Sequence, residues 1–110
     1  MLIKTNELEG VALDWAVAKC EGWSVVKDPF LFHEIPAFST DWAQGGPIIE
    51  RERISVGDQT HIEGQPEHSA WYATNRKGAY GFGTTPLIAA MRCYVASKLG
   101  DEVEIPKELG

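Results

Sequence analysis

The segment over residues 39–52 limits the folds open to this chain more than any other, because it marks where a helix begins and where the chain can bend. It reads Ser-Thr-Asp-Trp-Ala-Gln-Gly-Gly-Pro-Ile-Ile-Glu-Arg-Glu. Ser, Thr and Asp side chains accept hydrogen bonds from the free N–H groups of a helix start, and proline is common in a first turn. The pattern predicts a helical unit over residues 41–53, with Pro47 in a first turn and two short helical pieces meeting at Gly45-Gly46.

Two longer helices are predicted near the two ends of the chain. Over residues 9–21 apolar residues recur at helical spacing, Asp14 and Glu21 hold the polar side, and Gly22 stands where a left-handed helix end is favoured. Thr84-Thr85-Pro86 opens the second helix, which Gly100 closes. Its broad apolar side consists of Leu87, Ile88, Met91, Tyr94, Val95 and Leu99. These two helices should supply most of the core, with Trp15 of the first helix and Trp23 just after it as core residues.

Short β-type segments lie between the helices. Residues 23–27, 31–35, 54–56 and 69–75 are strand candidates, residues 57–69 read as a polar loop, and residues 76–83 read as a flexible, glycine-punctuated connection. Long apolar helices need a surface to cover, and a small sheet provides one. The predicted fold class is α+β, a small antiparallel sheet of three to five strands covered by an N-terminal and a C-terminal helix plus a short middle helix.

Three blocks of the sequence resemble the NinX-type proteins of lambda-like temperate phages. They are residues 13–22 (Leu-Asp-Trp-Ala-Val-Ala-Lys-Cys-Glu-Gly), residues 39–50, and residues 85–100 (Thr-Pro-Leu-Ile-Ala-Ala-Met-Arg-Cys-Tyr-Val-Ala-Ser-Lys-Leu-Gly). The resemblance implies a small phage accessory protein and brings no established activity with it. A looser resemblance to phage proteins with an α/β/α sandwich supports the architecture alone.

Length and composition indicate a single domain over residues 1–110. The apolar fraction of 44% is enough for an ordinary core, and no apolar run approaches the ~18 residues that cross a bilayer. The net charge of −6 opposes nonspecific nucleic-acid binding, which needs many Lys and Arg. Cys20 and Cys93 lie in apolar helical patterns and should be buried, reduced thiols. We expect a soluble protein of the host cytoplasm without a membrane partner or a cofactor.

Catalytic patterns are weak. The two thiols lie among apolar neighbours, where a thiol is inert, and a Gly-x-Ser-x-Gly motif is absent. His61 and His68, with Glu63 and Glu67, fall in the polar loop without the helical spacing of a zinc site, so no metal is predicted.

A ligand site is the better hypothesis. The glycine-rich run before Thr84-Thr85 leads into a helix start, where free N–H groups favour an anion, and basic residues lie nearby in sequence. Arginine offers paired donors to phosphate, and aromatic rings stack on bases. The predicted ligand-binding residues are Trp42, Arg51, Arg76, Tyr80, Phe82, Thr84 and Thr85, meeting within one chain or across a homo-oligomer interface.

Two classes of function follow. The first is a non-enzymatic binding protein that sequesters a small anionic, nucleotide-type ligand or blocks a host protein in counter-defence. The second is a small enzyme or nucleic-acid-modifying accessory that uses His61, His68 and the nearby acids.

Overall fold

The computed structural model describes residues 1–23, 34–58 and 71–109. The helices are α1 (Gly10–Cys20), α2 (Trp42–Glu52) and α3 (Pro86–Leu99), with short 3-10 helices at Thr5–Glu7 and Lys107–Leu109. The strands are β1 (Leu2–Lys4), β2 (Ser55–Asp58), β3 (Trp71–Thr74), β4 (Tyr80–Gly83) and β5 (Glu102–Glu104). They form two antiparallel sheets, β2-β3-β4 and β1-β5. The α+β class is confirmed, and the single sheet that we predicted is replaced by two small ones.

The three-stranded sheet is covered by α3, and glycines let the two approach closely. In the register of the sheet, Ser55 pairs with Thr74 and Trp71 with Gly83. A Cβ added at Gly81 would overlap the carbonyl oxygen of Ala89 and lie 2.5 Å from the Cys93 nitrogen, and one at Gly83 would lie 2.7 Å from Ile88 Cγ2. The flexible connection predicted over residues 76–83 was therefore wrong for residues 80–83, because Gly81 and Gly83 belong to a strand that faces a helix, while residues 76–79 do form a connecting turn.

Helix α3 has the ends that its sequence predicted. Thr85 Oγ1 accepts a hydrogen bond from the Ile88 N–H at 3.1 Å, Pro86 follows in the first turn, and Gly100 ends the helix at a φ of 89°. Leu87, Met91 and Val95 are at most 2% exposed. They belong to one core that also includes residues of α1, α2 and the sheet.

Helix α1 is buried along most of its length. Trp15 is 1% exposed, as expected, and Gly22 follows the helix with a φ of 86°. Asp14, which we placed on the polar side, is 8% exposed and accepts a hydrogen bond from the Ser39 backbone N–H at 2.8 Å. The prediction was wrong because the chain before α2 covers this face of α1. Trp23 is 44% exposed and contacts Phe38 edge to face, so it is not a core residue.

Helix α2 is one continuous helix, which corrects the predicted break at Gly45-Gly46. Asp41 caps it as expected, since its Oδ1 accepts from the Ala43 N–H at 2.9 Å. Pro47 therefore lies in the second turn, inside the helix, where it removes one backbone hydrogen bond. A Cβ added at Gly45 would overlap the Phe38 carbonyl oxygen and lie 2.7 Å from Leu87 Cδ1. This glycine serves close packing and not a hinge.

The two ends of the described chain pair with each other. Ile3 of β1 lies opposite Val103 of β5, and Val103 is 3% exposed. The Thr5 hydroxyl donates to the Gly100 carbonyl at 2.6 Å, which ties the chain before α1 to the end of α3. These short strands carry too few residues to show a pattern in the sequence.

The remaining strand predictions have mixed outcomes. The predicted strands over residues 54–56 and 69–75 correspond to β2 and β3. The candidates at residues 23–27 and 31–35 fall mainly on residues 24–33, outside the described residues. Most of the predicted loop over residues 57–69 also lies outside them, while Gly57 and Asp58 belong to β2.

Candidate functional site

Two arginines line one open hollow at the end of the β2–β3 pair. The hollow has a volume of about 460 Å³. Its lining residues, named here the arginine hollow, are Arg53, Ile54, Ser55, Thr74, Asn75 and Arg76. Both arginines are exposed, and neither takes part in the ion pairs found among residues 1–23, 34–58 and 71–109. The hollow thus combines two guanidinium groups with two hydroxyl side chains.

Arg53 has an uncommon backbone conformation. It follows α2 in the left-handed region, with φ 55° and ψ 48°. The Arg53 N–H bonds the Glu50 carbonyl, and the Ile54 N–H bonds the Ile49 carbonyl, which together form a Schellman helix end. Glycine is usual at this position, because a Cβ disfavours the left-handed region. The helix end places Arg53 at the edge of the hollow at a cost in backbone energy.

Arg76 lies on a turn that its neighbours hold firmly. Asn75 Oδ1 accepts hydrogen bonds from the N–H groups of Lys77 and Ala79, each at 3.0 Å. The Gly78 N–H bonds the Asn75 carbonyl at 3.2 Å, and Gly78 has a φ of 84°. This turn, Asn75–Ala79, therefore presents Arg76 and Lys77 from a backbone with little freedom to rearrange.

Arg51 has other partners. Its two terminal guanidinium nitrogens donate hydrogen bonds to the two carboxylate oxygens of Glu21, at 3.0 Å and 2.6 Å. Its Nε donates to the Glu52 carboxylate at 2.8 Å. The group also lies 5.7 Å from the ring centre of Tyr94, whose hydroxyl donates to Glu21. This cluster, Glu21, Arg51, Glu52 and Tyr94, is named here the arginine clamp, and it joins all three helices. Its donors are engaged there, and Arg51 does not line the arginine hollow.

The aromatic candidates lie at two places. Trp42 begins α2 and is 55% exposed, with its ring along the first turns of its own helix near Gly46. Tyr80 is 54% exposed on β4 and contacts Phe82 edge to face, with ring centres 5.4 Å apart. Tyr80 lines a second hollow beside the Asn75–Ala79 turn. That Trp42 shares a cleft with Tyr80 stays a prediction.

The two threonines stand at the start of α3. Thr84 and Thr85 are both exposed, and the Thr85 hydroxyl is the helix cap. Of the seven predicted ligand residues, Arg76 lines the arginine hollow, whereas Tyr80 and Phe82 contact each other next to the second hollow. Arg53 and Asn75 were missed as site residues. The one sequence signal for Arg53 was the absence of a glycine at the end of an otherwise well-marked helix.

The nucleophile candidates are suppressed by burial. Desolvation raises the pKa of Cys20 to about 12 and that of Cys93 to about 11. Burial, together with the hydrogen bond to Glu21, also raises the pKa of Tyr94. Cys93 is buried as predicted, while Cys20 is only half-buried, and both are free thiols. At neutral pH these groups are protonated and are poor nucleophiles or proton donors.

The histidine candidates cannot be placed. His33, His61 and His68 lie outside the described residues, as do Glu63 and Glu67. Across the described ranges, no three metal-binding side chains converge. In the same ranges, no helix is both long enough and apolar enough to span a bilayer.

Comparisons with known proteins give one result that covers nearly the whole chain. The family model described as Bacteriophage P22, NinX matches residues 4–98. No curated protein matches the chain. The family match includes α1, α2, all but the last residue of α3 and every residue of the arginine hollow, and the chain therefore belongs to the NinX family of phage proteins.

Proposed function

We propose that this phage protein is a non-enzymatic binding protein that takes a small anionic ligand into the arginine hollow, inside the host cytoplasm. The observation that carries the proposal is the meeting of Arg53 and Arg76, both free of ion pairs among the described residues, in one hollow of about 460 Å³. A volume of this size suits a small phosphate-bearing molecule.

The chemistry of the hollow suits a phosphate group. A guanidinium presents planar, paired N–H donors that match two phosphate oxygens, and a hydrogen bond to a charged group contributes about 1.5–3 kcal/mol. The hydroxyls of Ser55 and Thr74 add neutral donors at the same place. Two arginines with hydroxyl neighbours therefore recognise a phosphate group or a diphosphate.

The acidic balance of the whole chain does not outweigh this local charge. At physiological ionic strength, exposed charges farther apart than about 8 Å are largely screened from each other. A ligand in the hollow therefore interacts mainly with the two arginines, even though the net charge of the chain is −6. The same net charge opposes a long polyanion, which would contact much more of the surface.

A biological role follows from the ligand class. A phage protein that holds a nucleotide-type signal without converting it lowers the concentration of free signal, and this would serve counter-defence. The raised pKa values of both thiols argue against a cysteine nucleophile, in keeping with a binding role. The alternative of a small enzyme rests on His61 and His68, outside the described residues, and stays a prediction.

A second candidate, a blocker of a host protein, has one observation in its favour. Trp42 is 55% exposed and Trp23 is 44% exposed, although large aromatic side chains are usually well buried. Tryptophan is also enriched at the centres of protein interfaces. If Trp42→Ala leaves ligand binding intact but abolishes the effect of the protein in infected cells, the blocker reading takes the lead.

Calorimetric titration with inorganic pyrophosphate tests the binding proposal. We expect binding that weakens with added salt, and a loss of about 10- to 100-fold in affinity in Arg76→Gln, from the strength of one charge-assisted contact. Lys107→Gln is the matched control, because it removes one positive charge from the C-terminal 3-10 helix and leaves the hollow unchanged.

Two results would contradict the proposal. One is the absence of binding at millimolar pyrophosphate by the intact protein. The other is an equal loss of affinity in Arg76→Gln and Lys107→Gln, which would mean that only the overall charge matters.

A further inference from the structure

A second hollow borders the same turn as the arginine hollow and has a different chemistry. It has a volume of about 370 Å³. The residues that matter here, named the tyrosine hollow, are Lys77, Gly78, Tyr80, Ser97 and Asp101. Asn75 and Arg76 line the arginine hollow, and the next residues along the chain line this one. The Asn75–Ala79 turn is therefore the wall that the two hollows share.

Tyr80 offers a stacking surface whose orientation is set by the Phe82 ring and by the sheet backbone. Its ring is 54% exposed and meets the Phe82 ring at 61°, edge to face, at 5.4 Å. The backbone beneath it is fixed by the pairing of Tyr80 with Thr74 in the sheet. A nucleobase of any type can stack on an exposed aromatic ring that is held in a defined orientation.

The charges around Tyr80 are mixed. Lys77 is positive and Asp101 is negative, and no ion pair joins them among the described residues. A carboxylate repels phosphate but accepts hydrogen bonds from hydroxyl groups, and the Ser97 hydroxyl can donate or accept. The tyrosine hollow thus suits an uncharged group with an aromatic ring and hydroxyls, whereas the arginine hollow suits the anion.

We propose that the two hollows bind the two halves of a nucleoside phosphate. The base stacks on Tyr80, the sugar hydroxyls face Asp101 and Ser97, and the phosphates cross the turn to Arg76 and Arg53, with Lys77 beside the crossing. This inference rests on the proposed function, to which it adds the class of ligand. Arg76 and Lys77 are consecutive residues that line the two hollows, and a ligand that joins a base to a phosphate would cross the turn between them.

The turn gives the arrangement its specificity. Because Asn75 Oδ1 accepts from two backbone N–H groups of the turn, the turn that borders both hollows is ordered before any ligand arrives. Binding energy is then not spent on ordering the wall, and the two halves of one ligand bind more tightly joined than apart. Free pyrophosphate and a free nucleoside should each bind weakly.

Titrations with inorganic pyrophosphate, adenosine, ADP and UDP test this inference. We expect ADP to bind at least about tenfold more tightly than pyrophosphate, from one stacked base, and adenosine alone to bind weakly. UDP should lie between pyrophosphate and ADP, because its ring is smaller. In Tyr80→Ala, the affinity for ADP should fall to that for pyrophosphate, while Tyr80→Phe should retain the difference.

The outcomes separate the two proposals. If pyrophosphate binds and ADP binds no more tightly, or if Tyr80→Ala leaves the ADP advantage unchanged, the inference about the nucleoside is overturned and the anion site stands. If neither compound binds, both proposals fail. Thermal unfolding of Tyr80→Ala checks its fold, and the binding of pyrophosphate to this variant should equal that of the parent chain.

Discussion

Arg53 is the residue at which stability and function oppose each other most directly. Its left-handed backbone conformation closes α2, yet its side chain makes no ion pair among the described residues. A side chain with a Cβ is disfavoured in this conformation, by up to about 1–2 kcal/mol. Sparsely populated backbone conformations are found at functional sites more often than elsewhere. Arg53 is thus more costly to the fold than glycine would be, and it lines the arginine hollow.

The first prediction concerns this opposition. Arg53→Gly should leave the free energy of unfolding unchanged or raise it by up to about 1 kcal/mol, because glycine accepts the left-handed region freely. The same change should weaken pyrophosphate binding about tenfold or more, since one guanidinium is lost. Arg53→Ala is the matched variant, which removes the guanidinium but keeps the Cβ. Urea unfolding and calorimetry measure the two effects.

Arg53→Ala should lose binding as Arg53→Gly does, without any gain in stability. If Arg53→Gly instead unfolds more easily than the parent chain, the side chain supports the fold and the functional interpretation loses its basis. Equal binding in all three proteins would exclude Arg53 from the site.

A difference of two positions along the chain decides which arginine forms ion pairs among the described residues. Arg51 and Arg53 look equivalent in the sequence, and we predicted Arg51 as the ligand residue. Side chains two positions apart face different directions at a helix end, so Arg51 points to α1 and α3 and enters the arginine clamp. The acidic partner that decides this is Glu21, 30 residues away in sequence, and a single sequence does not reveal such pairs.

At the scale of the elements, the two adjacent glycines of α2 have different structural roles. Gly45 and Gly46 were predicted as a hinge, and they lie in the middle of a continuous helix. Gly45 is buried against the Phe38 backbone, whereas a Cβ at Gly46 would make an ordinary contact, 3.8 Å from Trp42 Cε3. One glycine is required by packing, and its neighbour is not.

The second prediction uses this pair. Gly46→Ala should raise the free energy of unfolding by about 0.5–1 kcal/mol, because alanine favours a helix and space is available. Gly45→Ala should lower it by about 1–3 kcal/mol, because the added methyl group overlaps the backbone of Phe38. The two variants have the same chemistry at adjacent positions, so each is the control for the other in urea unfolding. A stabilising effect of both would show that α2 does not pack against the segment before it.

The elements that could be predicted are those with marked ends and a long pattern. Thr85, Pro86 and Gly100 mark α3, and Asp41 marks α2, because caps act through neighbouring residues. By contrast, β1 and β5 are three residues long and exist only because they pair with each other. Gly81 and Gly83 read as a flexible segment, because the helix that requires them lies elsewhere in the fold. The candidate site was predicted only in part for the same reason. Arg76 was predicted and Arg53 was not, because the two residues come together only in the folded chain.

At the scale of the whole molecule, one carboxyl group in α1 and one directly after it connect this helix to the rest of the fold and respond to pH in opposite directions. Asp14 holds the chain before α2, through the Ser39 N–H, and burial raises its pKa although hydrogen bonding from Ser39 lowers it in part. Glu21 belongs to the arginine clamp, where hydrogen bonds from Arg51 and Tyr94 lower its pKa against the effect of burial. Along α1 and its C-terminal cap there is therefore one carboxyl whose neutral form is favoured and one whose charged form is favoured.

The sign of each contribution follows from proton uptake. A lowered folded pKa means that the unfolded chain binds more protons, so the stability due to Glu21 is present above its unfolded pKa and is lost as the pH falls through the folded pKa. A raised folded pKa means that the folded chain binds more protons. The cost of ionised Asp14 is therefore absent in acid and develops as the pH rises from its unfolded value of 3.8 through its folded pKa.

The third prediction is that single amide substitutions change the pH profile of stability in opposite ways. Between about pH 3 and 6, near the ordinary carboxyl pKa values, Glu21→Gln should flatten the rise of stability with pH, and it should be less stable than the parent chain at pH 7. Asp14→Asn should steepen that rise, because it removes the opposing contribution while its amide oxygen can still accept from Ser39. Urea midpoints measured at intervals of half a pH unit give both slopes. Parallel profiles for the two variants would mean that neither carboxyl titrates differently in the folded and unfolded chains, and the roles assigned here to the arginine clamp and to the Asp14–Ser39 contact would be wrong.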